Sequence, residues 1–454
     1  MIDLEQYHIH GRTSREIAHS AETAIREGLL QTGDALPTVR ALAEGLGTSP
    51  ATVNAAYRIL RQRGLVVAEG RRGTHVAPRP ALRRPEPVHG APASLTSSTA
   101  TSHLRDLALG FPDQELLPPI EPALTRIELD GRLVLSGLDA ADSRLLEIAR
   151  SWFSEDGVPN DALSVVSGAF DAIERVLQAH LRPGDRVIVE DPVYISIRDL
   201  LLALGLVAVA VEVDDFGLLP EPLERALARG ADAIMIVPRA QNPYGSAMDA
   251  ERQALLHGVL EPYPDVLVIE DDHAGIVSGA PFSSLVTGAT TRWAIVRSVS
   301  KFLHPDLRLA ILAGDELTVA RVEGRLALGP RWVSHVLQAL VAEQLSDPSF
   351  PDATTTARDA YTARRDALID SLAEHGIAAH GRSGLNVWVP VREEAPVVRA
   401  LLDAGWLVLA GERFRVASGS GIRITTSTLR PDEARELARV IASVEHAGRP
   451  RRLY

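Results

Sequence analysis

Five short apolar segments in the middle of the chain constrain its fold more than any other feature. They are rich in β-branched residues, almost continuously apolar, and separated by longer stretches with helical spacing. They cover residues 185–192, 207–214, 233–238, 266–272 and 293–299. Strands of this kind are buried on both faces of a largely parallel sheet. The sequence therefore predicts an α/β domain in which ligands meet polar residues just past the carboxyl ends of the strands.

Lys301 follows one of these strands and is the only lysine among the 47 Lys and Arg residues. A codon bias toward arginine explains the 46 arginines but not the exception. A lysine amine can lose its proton and attack a carbonyl to form a Schiff base, whereas an arginine guanidinium stays protonated. Chance survival of one surface lysine is the alternative. The polar residues around Lys301 favour the covalent role.

Those neighbours suit a ligand that carries both an aldehyde and a phosphate. Ser298 and Ser300 supply hydroxyls, and Arg308 supplies a guanidinium seven residues after the lysine. Pyridoxal phosphate is such a ligand, with Lys301 as its anchor. The helix start after residues 164–167 offers backbone N–H groups for the same phosphate, although an ordinary helix start would look alike. These groups belong to Gly168, Ala169 and Phe170.

Four further side chains follow strands or lie in them, and each also has a purely structural interpretation. Asp271 could hold a pyridine nitrogen in its protonated form, or cap a helix. Asn242 lies in a Pro-punctuated turn, where its amide could reach a ring hydroxyl. Tyr194 could stack on a flat ring or belong to the core. Arg423, in an Ile-Arg-Ile-Thr alternation, could bind a carboxylate through two hydrogen bonds or be a solvated arginine.

The N-terminal part has a different pattern. Residues 14–30 and 38–46 predict two helices, and a third begins with Ser49 as its cap and Pro50 in its first turn. An inward apolar stripe on this third helix has helical spacing. It consists of Val53, Ala56, Tyr57 and Leu60. Residues 65–78 predict a β-hairpin with Gly70 to Gly73 at its tip. Together they predict a winged helix-turn-helix, with a small helical interaction domain as the alternative.

Charge separates the two parts of the chain as well. The net charge is −12, yet residues 1–90 contain 12 Arg against 9 Asp and Glu, so that they carry +3 and the remainder −15. This asymmetry indicates two functions. The expected domains are residues 1–78, a linker over 79–104 rich in Pro, Ala and Ser, and a body over 105–454.

The body resembles the fold-type-I aminotransferases over about 350 residues. The resemblance implies a mostly parallel central sheet, a smaller C-terminal α/β subdomain and pyridoxal phosphate bound to Lys301. It implies that Gly168 to Phe170, Ser298, Ser300 and Arg308 hold the phosphate, while Tyr194, Asn242, Asp271 and His273 surround the ring. Arg423 and Gly110 would face a substrate or effector carboxylate. His273 replaces the family's usual Tyr, and Tyr244 replaces the Thr of an Asn-Pro-Thr-Gly turn.

Residues 10–78 resemble the GntR class of DNA-binding domains. The resemblance implies contacts to DNA from the second and third helices and from the wing. The candidates are Arg40, Ser49, Thr52, Asn54, Arg58, Arg71 and Arg72. Pro50 departs from the Arg common at that helix start.

End to end, the chain is similar to the MocR-type transcriptional regulators. This implies a homodimer that binds double-stranded promoter DNA and responds to pyridoxal phosphate, as a vitamin B6 sensor, or to an amino compound that reacts with the cofactor. The lack of cysteine and of an N-terminal signal sequence predicts a cytoplasmic location. A working aminotransferase and a pure DNA-binding scaffold are the alternatives. The chain has no cysteine, so thiolate chemistry is excluded and no metal site is expected. No apolar run reaches the roughly 20 residues of a membrane span.

Overall fold

The computed structural model describes residues 7–62, 65–68, 73–77, 104–127 and 140–447. The chain divides into two compact units. The first contains the residues up to 86 together with 181–187 and 196–208, and the second contains the others.

Three helices and a two-stranded hairpin form the N-terminal part. They are α1 (Ser14–Arg26), α2 (Val39–Gly45), α3 (Pro50–Gln62), β1 (Val66–Ala68) and β2 (Thr74–Val76), with the two strands antiparallel. Side chains cap all three helices. Thr13 and Glu16 form a capping box on α1, the Thr38 side chain accepts from the Ala41 N–H, and Ser49 Oγ accepts from the Thr52 N–H at 3.1 Å.

The predicted winged helix-turn-helix is confirmed, with one boundary corrected. The helix predicted over 14–30 ends at Arg26, because Gly28 takes a φ of 77°, which helical backbone does not allow. The stripe on α3 lies in the core as predicted, each member at most 2% exposed. The Tyr57 hydroxyl also donates to the Pro37 carbonyl at 2.7 Å. Burial of side chains of this size stabilises by about 1.5–3 kcal/mol each, which fixes α3 against its neighbours.

The largest sheet in the described part of the chain has eight strands, in the order β4-β11-β10-β9-β8-β5-β6-β7. The strands are β4 (Leu163–Val166), β5 (Arg186–Asp191), β6 (Val207–Asp214), β7 (Gly217–Leu218), β8 (Ala233–Ile236), β9 (Leu267–Asp272), β10 (Trp293–Ser298) and β11 (Ala310–Gly314). β8, β9 and β10 are parallel, and β11 runs antiparallel between β10 and β4. All five predicted strands are present, with ends within two residues of the prediction.

Eleven further described helices accompany the strands of the chain. They are α4 (Glu121–Arg126), α5 (Ser143–Glu155), α6 (Ala169–His180), α7 (Ile195–Ala203), α8 (Pro220–Ala228), α9 (Ala250–Leu260), α10 (Glu316–Ala327), α11 (His335–Leu345), α12 (Phe350–Glu374), α13 (Glu394–Asp403) and α14 (Pro431–Ala447). In the part of the chain that the structure describes, none is long and apolar enough to cross a membrane.

Burial of the strands follows their position in the sheet. β9 and β10, near its middle, are buried along their whole length. The prediction that 207–214 is buried on both faces was wrong, since β6 is mostly half-buried and Val207 is 45% exposed. The physical reason is its place next to the end of the sheet, where its outer neighbour β7 is only two residues long.

A small antiparallel sheet forms the core of the C-terminal subdomain. It has the order β12-β15-β14, where β12 is Asn386–Pro390, β14 is Leu409–Ala410 and β15 is Gly421–Thr425. β13 (Trp406–Leu407) pairs in parallel with β3 (Arg105–Asp106). Arg423 lies on the central strand of the small sheet.

Candidate functional site

The order of the strands arranges the predicted site residues along one edge of the large sheet. Gly168 follows β4 and Arg308 precedes the antiparallel β11. Lys301 follows β10, and Asp271 lies near the end of β9. The turn with Asn242 follows β8. The structure therefore brings together at one edge residues that lie up to 140 positions apart in the sequence.

Gly168 and Arg308 meet at one end of this edge. Gly168 has a φ of 95°, and a Cβ on it would lie 3.3 Å from Nη2 of Arg308. Glycine therefore gives the guanidinium its place beside the start of α6. Among the described residues, no hydrogen bond or ion pair occupies the exposed Arg308 side chain. Ser298 Oγ donates to Ser300 Oγ at 3.0 Å on the neighbouring strand end. A guanidinium, two hydroxyls and a helix N-terminus suit an anion such as phosphate.

Lys301 is partly buried, and its amine donates to the Gly110 carbonyl. Nζ also lies 5.6 Å from the centroid of the Phe111 ring. Burial, assisted by the positive charges of Arg423 and Arg308, lowers the pKa of Lys301 to about 8 against the opposing charge of Asp271. About one molecule in ten then has a neutral amine at pH 7, far more than for an ordinary lysine.

This pKa gives an expected pH dependence. The rate at which Lys301 captures an aldehyde should rise about tenfold per unit below pH 8 and level off above it, because only the neutral amine attacks. The rate is measured by trapping the adduct with borohydride at timed intervals. Nα-acetyl-lysine is the control, and its rate should still climb between about pH 8 and pH 10. A rate for the protein that parallels the control throughout would contradict the lowered pKa.

Asp271 has a buried oxygen without a donor. The residue is 5% exposed, and its Oδ1 makes no hydrogen bond. Burial and the adjacent charge of Asp272 raise the pKa of Asp271 to about 7, with Lys301 acting in the opposite direction. Leaving such an acceptor unpaired costs about 1–3 kcal/mol. A protonated ring nitrogen placed at Oδ1 would remove that cost, so the residue fits the pyridine of pyridoxal phosphate.

Asp272, the next residue and the second carboxylate at the end of this strand, is paired with two arginines. Its carboxylate accepts two hydrogen bonds from Arg239 and one from Arg297, each at 2.8 Å. Arg297 and Asp272 are completely buried. These two guanidinium groups hold the pKa of Asp272 well below its usual range despite its burial. Asp272 therefore stabilises the edge of the sheet without facing a ligand.

Gln241, which the sequence analysis did not identify, links the segment after β5 to the turn after β8. It is fully buried, and its Nε2 donates to the Pro192 carbonyl at 2.8 Å, while its Oε1 accepts from the Tyr244 N–H at 2.7 Å. Tyr194 follows Pro192 closely, and Asn242 follows Gln241 directly. Gln241 thus fixes the positions of both predicted ring contacts.

Arg423 is buried rather than solvated, at 2% exposure. Its Nη1 donates to Asn242 Oδ1 at 3.2 Å, its Nη2 donates to the Ala108 carbonyl, and Nε is unpaired. Gly110 lies beside this guanidinium, since a Cβ on it would be 3.7 Å from Nη1. Burial lowers the pKa of Arg423 to about 10. Within the described residues its acceptors are neutral, which suits capture of a ligand carboxylate.

Two aromatic contacts complete this region. The Tyr194 and Phe170 rings meet edge to face, with centroids 5.9 Å apart. Tyr244 stacks on His380 at 4.4 Å. His273 lies near Lys301, and its Nε2 is 2.9 Å from the Ala240 carbonyl oxygen.

Most candidate DNA contacts lie on the surface of the N-terminal part. Arg40, Ser49, Asn54 and Arg58 are exposed, and Thr52 is half-buried. Arg71 and Arg72 lie outside the described residues. The described candidates on α3 are therefore accessible to a ligand, and their contacts with DNA stay a prediction.

Comparisons with known proteins agree with both parts. The model for bacterial regulatory proteins of the gntR family matches residues 13–76, and the model for aminotransferase class I and II matches residues 128–441. The vitamin B6 salvage pathway transcriptional repressor PtsJ of Salmonella typhimurium is 40% identical, over 95% of this chain and 98% of its own length. The pyridoxine biosynthesis transcriptional regulator PdxR of Corynebacterium glutamicum is 26% identical, over 79% of this chain and 78% of its own.

Solved structures resemble the second unit. The crystal structure of kynurenine aminotransferase from Pyrococcus horikoshii has a TM-score of 0.70 at 22% identity, covering 77% of this chain and 93% of its own. At this identity the likeness shows the fold alone, which is that of a class I and II aminotransferase.

Proposed function

Since the chain belongs to the MocR-type regulators, which join a GntR-family DNA-binding domain to an aminotransferase class I and II domain, we propose that pyridoxal phosphate binds at Lys301 and controls its affinity for promoter DNA. The regulated genes belong to vitamin B6 metabolism, as the names of PtsJ and PdxR indicate for those relatives. The working form is a homodimer.

The unpaired buried oxygen of Asp271 carries this proposal, together with the amine of Lys301 on the neighbouring strand end. In pyridoxal phosphate the ring nitrogen is opposite the aldehyde carbon. The phosphate arm and the hydroxyl flank the aldehyde on opposite sides. With the aldehyde at Lys301 and the nitrogen at Asp271, Arg308 and Gly168, beside β11 and β4, would hold the phosphate. Asn242, which follows β8, would contact the ring hydroxyl.

The residues of this chain bind and orient the cofactor. Bound pyridoxal phosphate supplies an aldehyde carbon for amines and a ring that withdraws electrons. Lys301 would hold the aldehyde end of the cofactor, because its lowered pKa makes a neutral amine available. Asp271 would accept the ring N–H, and Gln241 holds Tyr194 and Asn242 in position for contacts with the ring.

A ligand alters DNA binding only if it favours one of two states of the dimer. Pyridoxal phosphate is the signal in our proposal. The experiment measures affinity for the DNA upstream of the protein's own gene, with and without pyridoxal phosphate, at fixed salt. A change of about fivefold or more is expected, a typical coupling between two sites. Tight binding to DNA with the same affinity in the presence and absence of pyridoxal phosphate would refute its role as the signal.

An amino compound as the effector is the second candidate, favoured by the buried guanidinium of Arg423, whose hydrogen-bond acceptors among the described residues are neutral. It would hold the carboxylate of an amine that reacts with the bound cofactor. In that case DNA affinity changes when the amine is added to the cofactor-loaded protein. Rapid amino-group exchange with a 2-oxo acid, without any effect on DNA, would instead indicate an aminotransferase.

The DNA-binding surface has its own test. Arg58→Ala on the exposed side of α3 should weaken binding and lower the slope of log affinity against log salt by about 1, as for one lost phosphate contact. The control is Arg225→Ala, which replaces an exposed arginine that pairs with exposed Glu221. Unchanged salt dependence in Arg58→Ala, measured by fluorescence anisotropy, would exclude a phosphate contact there.

A further inference from the structure

The hydrogen-bond role of His273 is fixed by its surroundings. Its Nε2 lies 2.9 Å from the carbonyl oxygen of Ala240. A carbonyl oxygen only accepts, so Nε2 carries the hydrogen and donates it. A neutral imidazole has one N–H, which leaves Nδ1 as an acceptor. Burial and the nearby charge of Lys301 lower the pKa of His273 to about 4, so the ring is neutral at physiological pH.

Asn242 has the opposite role. Its Oδ1 accepts from Nη1 of Arg423 at 3.2 Å. A guanidinium only donates, so this contact fixes the orientation of the amide and leaves Nδ2 directed elsewhere as a donor. The segments that follow β8 and β9 therefore contain one donor, Asn242 Nδ2, and one acceptor, His273 Nδ1.

The ring hydroxyl of the cofactor would face these segments when the aldehyde is at Lys301 and the nitrogen at Asp271. We propose that His273 Nδ1 accepts a hydrogen bond from this hydroxyl and keeps the ring oxygen in its neutral, protonated form. The inference rests on the proposed function, because it takes pyridoxal phosphate as the ligand of Lys301.

In this proposal His273 determines the position of one proton of the bound cofactor. When the cofactor is linked to Lys301, a single proton is shared between the ring oxygen and the linking nitrogen. An acceptor at the oxygen keeps the proton there. A donor, such as a tyrosine hydroxyl, stabilises the ionised oxygen, and the cofactor's proton moves to the nitrogen. No bond between heavy atoms changes.

This proton position affects reactivity toward amines. A carbon next to an unprotonated nitrogen is a poorer electrophile than one next to a protonated nitrogen. His273 therefore slows attack by free amines on the linked carbon. Such a site retains its cofactor and exchanges it little with amines, which suits a sensor of the cofactor itself.

The absorption spectrum of the bound cofactor tests this directly, since the ionised ring oxygen absorbs at longer wavelength than the neutral hydroxyl. Wild type, His273→Tyr and His273→Phe are loaded with pyridoxal phosphate and compared near neutral pH. We expect the short-wavelength band to dominate in wild type. Tyrosine should raise the ratio of long- to short-wavelength absorption about tenfold or more, as for one hydrogen bond to a charged group. Phenylalanine, which neither donates nor accepts, should give an intermediate ratio.

Two results would overturn the inference, and they are distinguishable. Equal band ratios in wild type and His273→Tyr, with both proteins loaded, would refute the role of His273 and leave the cofactor site intact. Absence of any cofactor band in wild type, with no borohydride-stable adduct at Lys301 by mass spectrometry, would refute the proposed function and the inference together. Tryptophan fluorescence confirms that each variant is folded.

Discussion

Lys301→Ala should abolish the effect of pyridoxal phosphate on DNA affinity while the affinity measured without cofactor stays unchanged. The chain has no other lysine side chain to take over the linkage. Lys301→Arg is the matched control, because it retains a positive charge beside Gly110 and Phe111 but cannot attack the aldehyde. Both variants should lose the borohydride-stable adduct completely. The measurement is DNA affinity by anisotropy, with and without cofactor.

The two variants also separate charge from linkage. If Lys301→Arg still responds to pyridoxal phosphate, non-covalent binding is sufficient and the lysine is not required for the signal. If both variants respond like wild type, the proposed regulatory site is wrong.

Asp272→Asn should destabilise the second unit by about 3–5 kcal/mol, the usual consequence of removing one partner from a buried ion pair. The change removes the buried carboxylate that Arg239 and Arg297 share and leaves them the partly exposed carboxylate of Asp156, which lies 2.6 Å from Arg297 Nη2 and 3.7 Å from Arg239 Nη2. Urea unfolding followed by tryptophan fluorescence measures the loss. All five tryptophans lie between residues 152 and 406, in the second unit, so the signal reports this unit alone.

Asp271→Asn is the matched control for Asp272→Asn, and we expect it not to lower the stability of the cofactor-free protein. The Asp271 pKa is raised to about 7 in the folded protein, so its ionised form costs stability above that pH. At about pH 8 the amide should therefore leave the cofactor-free protein as stable as wild type or more stable. It should weaken cofactor binding about tenfold or more, through loss of a charge-assisted hydrogen bond. Equal destabilisation by both substitutions would contradict the distinct roles of the two carboxylates.

The sequence was sufficient to predict the strands and to predict that polar residues after them lie at one edge of the sheet. Both predictions depend on local sequence patterns. Continuous β-branched runs identify β9 and β10, and the carboxyl ends of such strands meet at one edge. That rule alone placed Asp271 and Lys301 together. The roles given to the individual site residues remain predictions, although the structure gathers them at one edge.

The partners of charged groups could not be predicted, because they depend on contacts distant in sequence. Arg297 is the next-to-last residue of a fully buried strand, and a charge there requires a carboxylate. The need for a carboxylate partner could therefore be predicted from the sequence. The sequence did not identify Asp272 as the partner, nor Arg239 as the second cation. Arg423 likewise has the same alternating pattern whether its strand is solvated or, as observed, buried.

The side chain of Lys301 also makes the protein a convenient object for chemical labelling. Reagents that acylate neutral amines find only this lysine and the terminal amine in the whole chain. Because the Lys301 pKa is about 8, acylation proceeds under mild conditions, and a linked cofactor blocks it. The unlabelled fraction of Lys301 in a digest of whole cells would thus measure how many copies carry ligand at that moment, without purification and without a reporter gene.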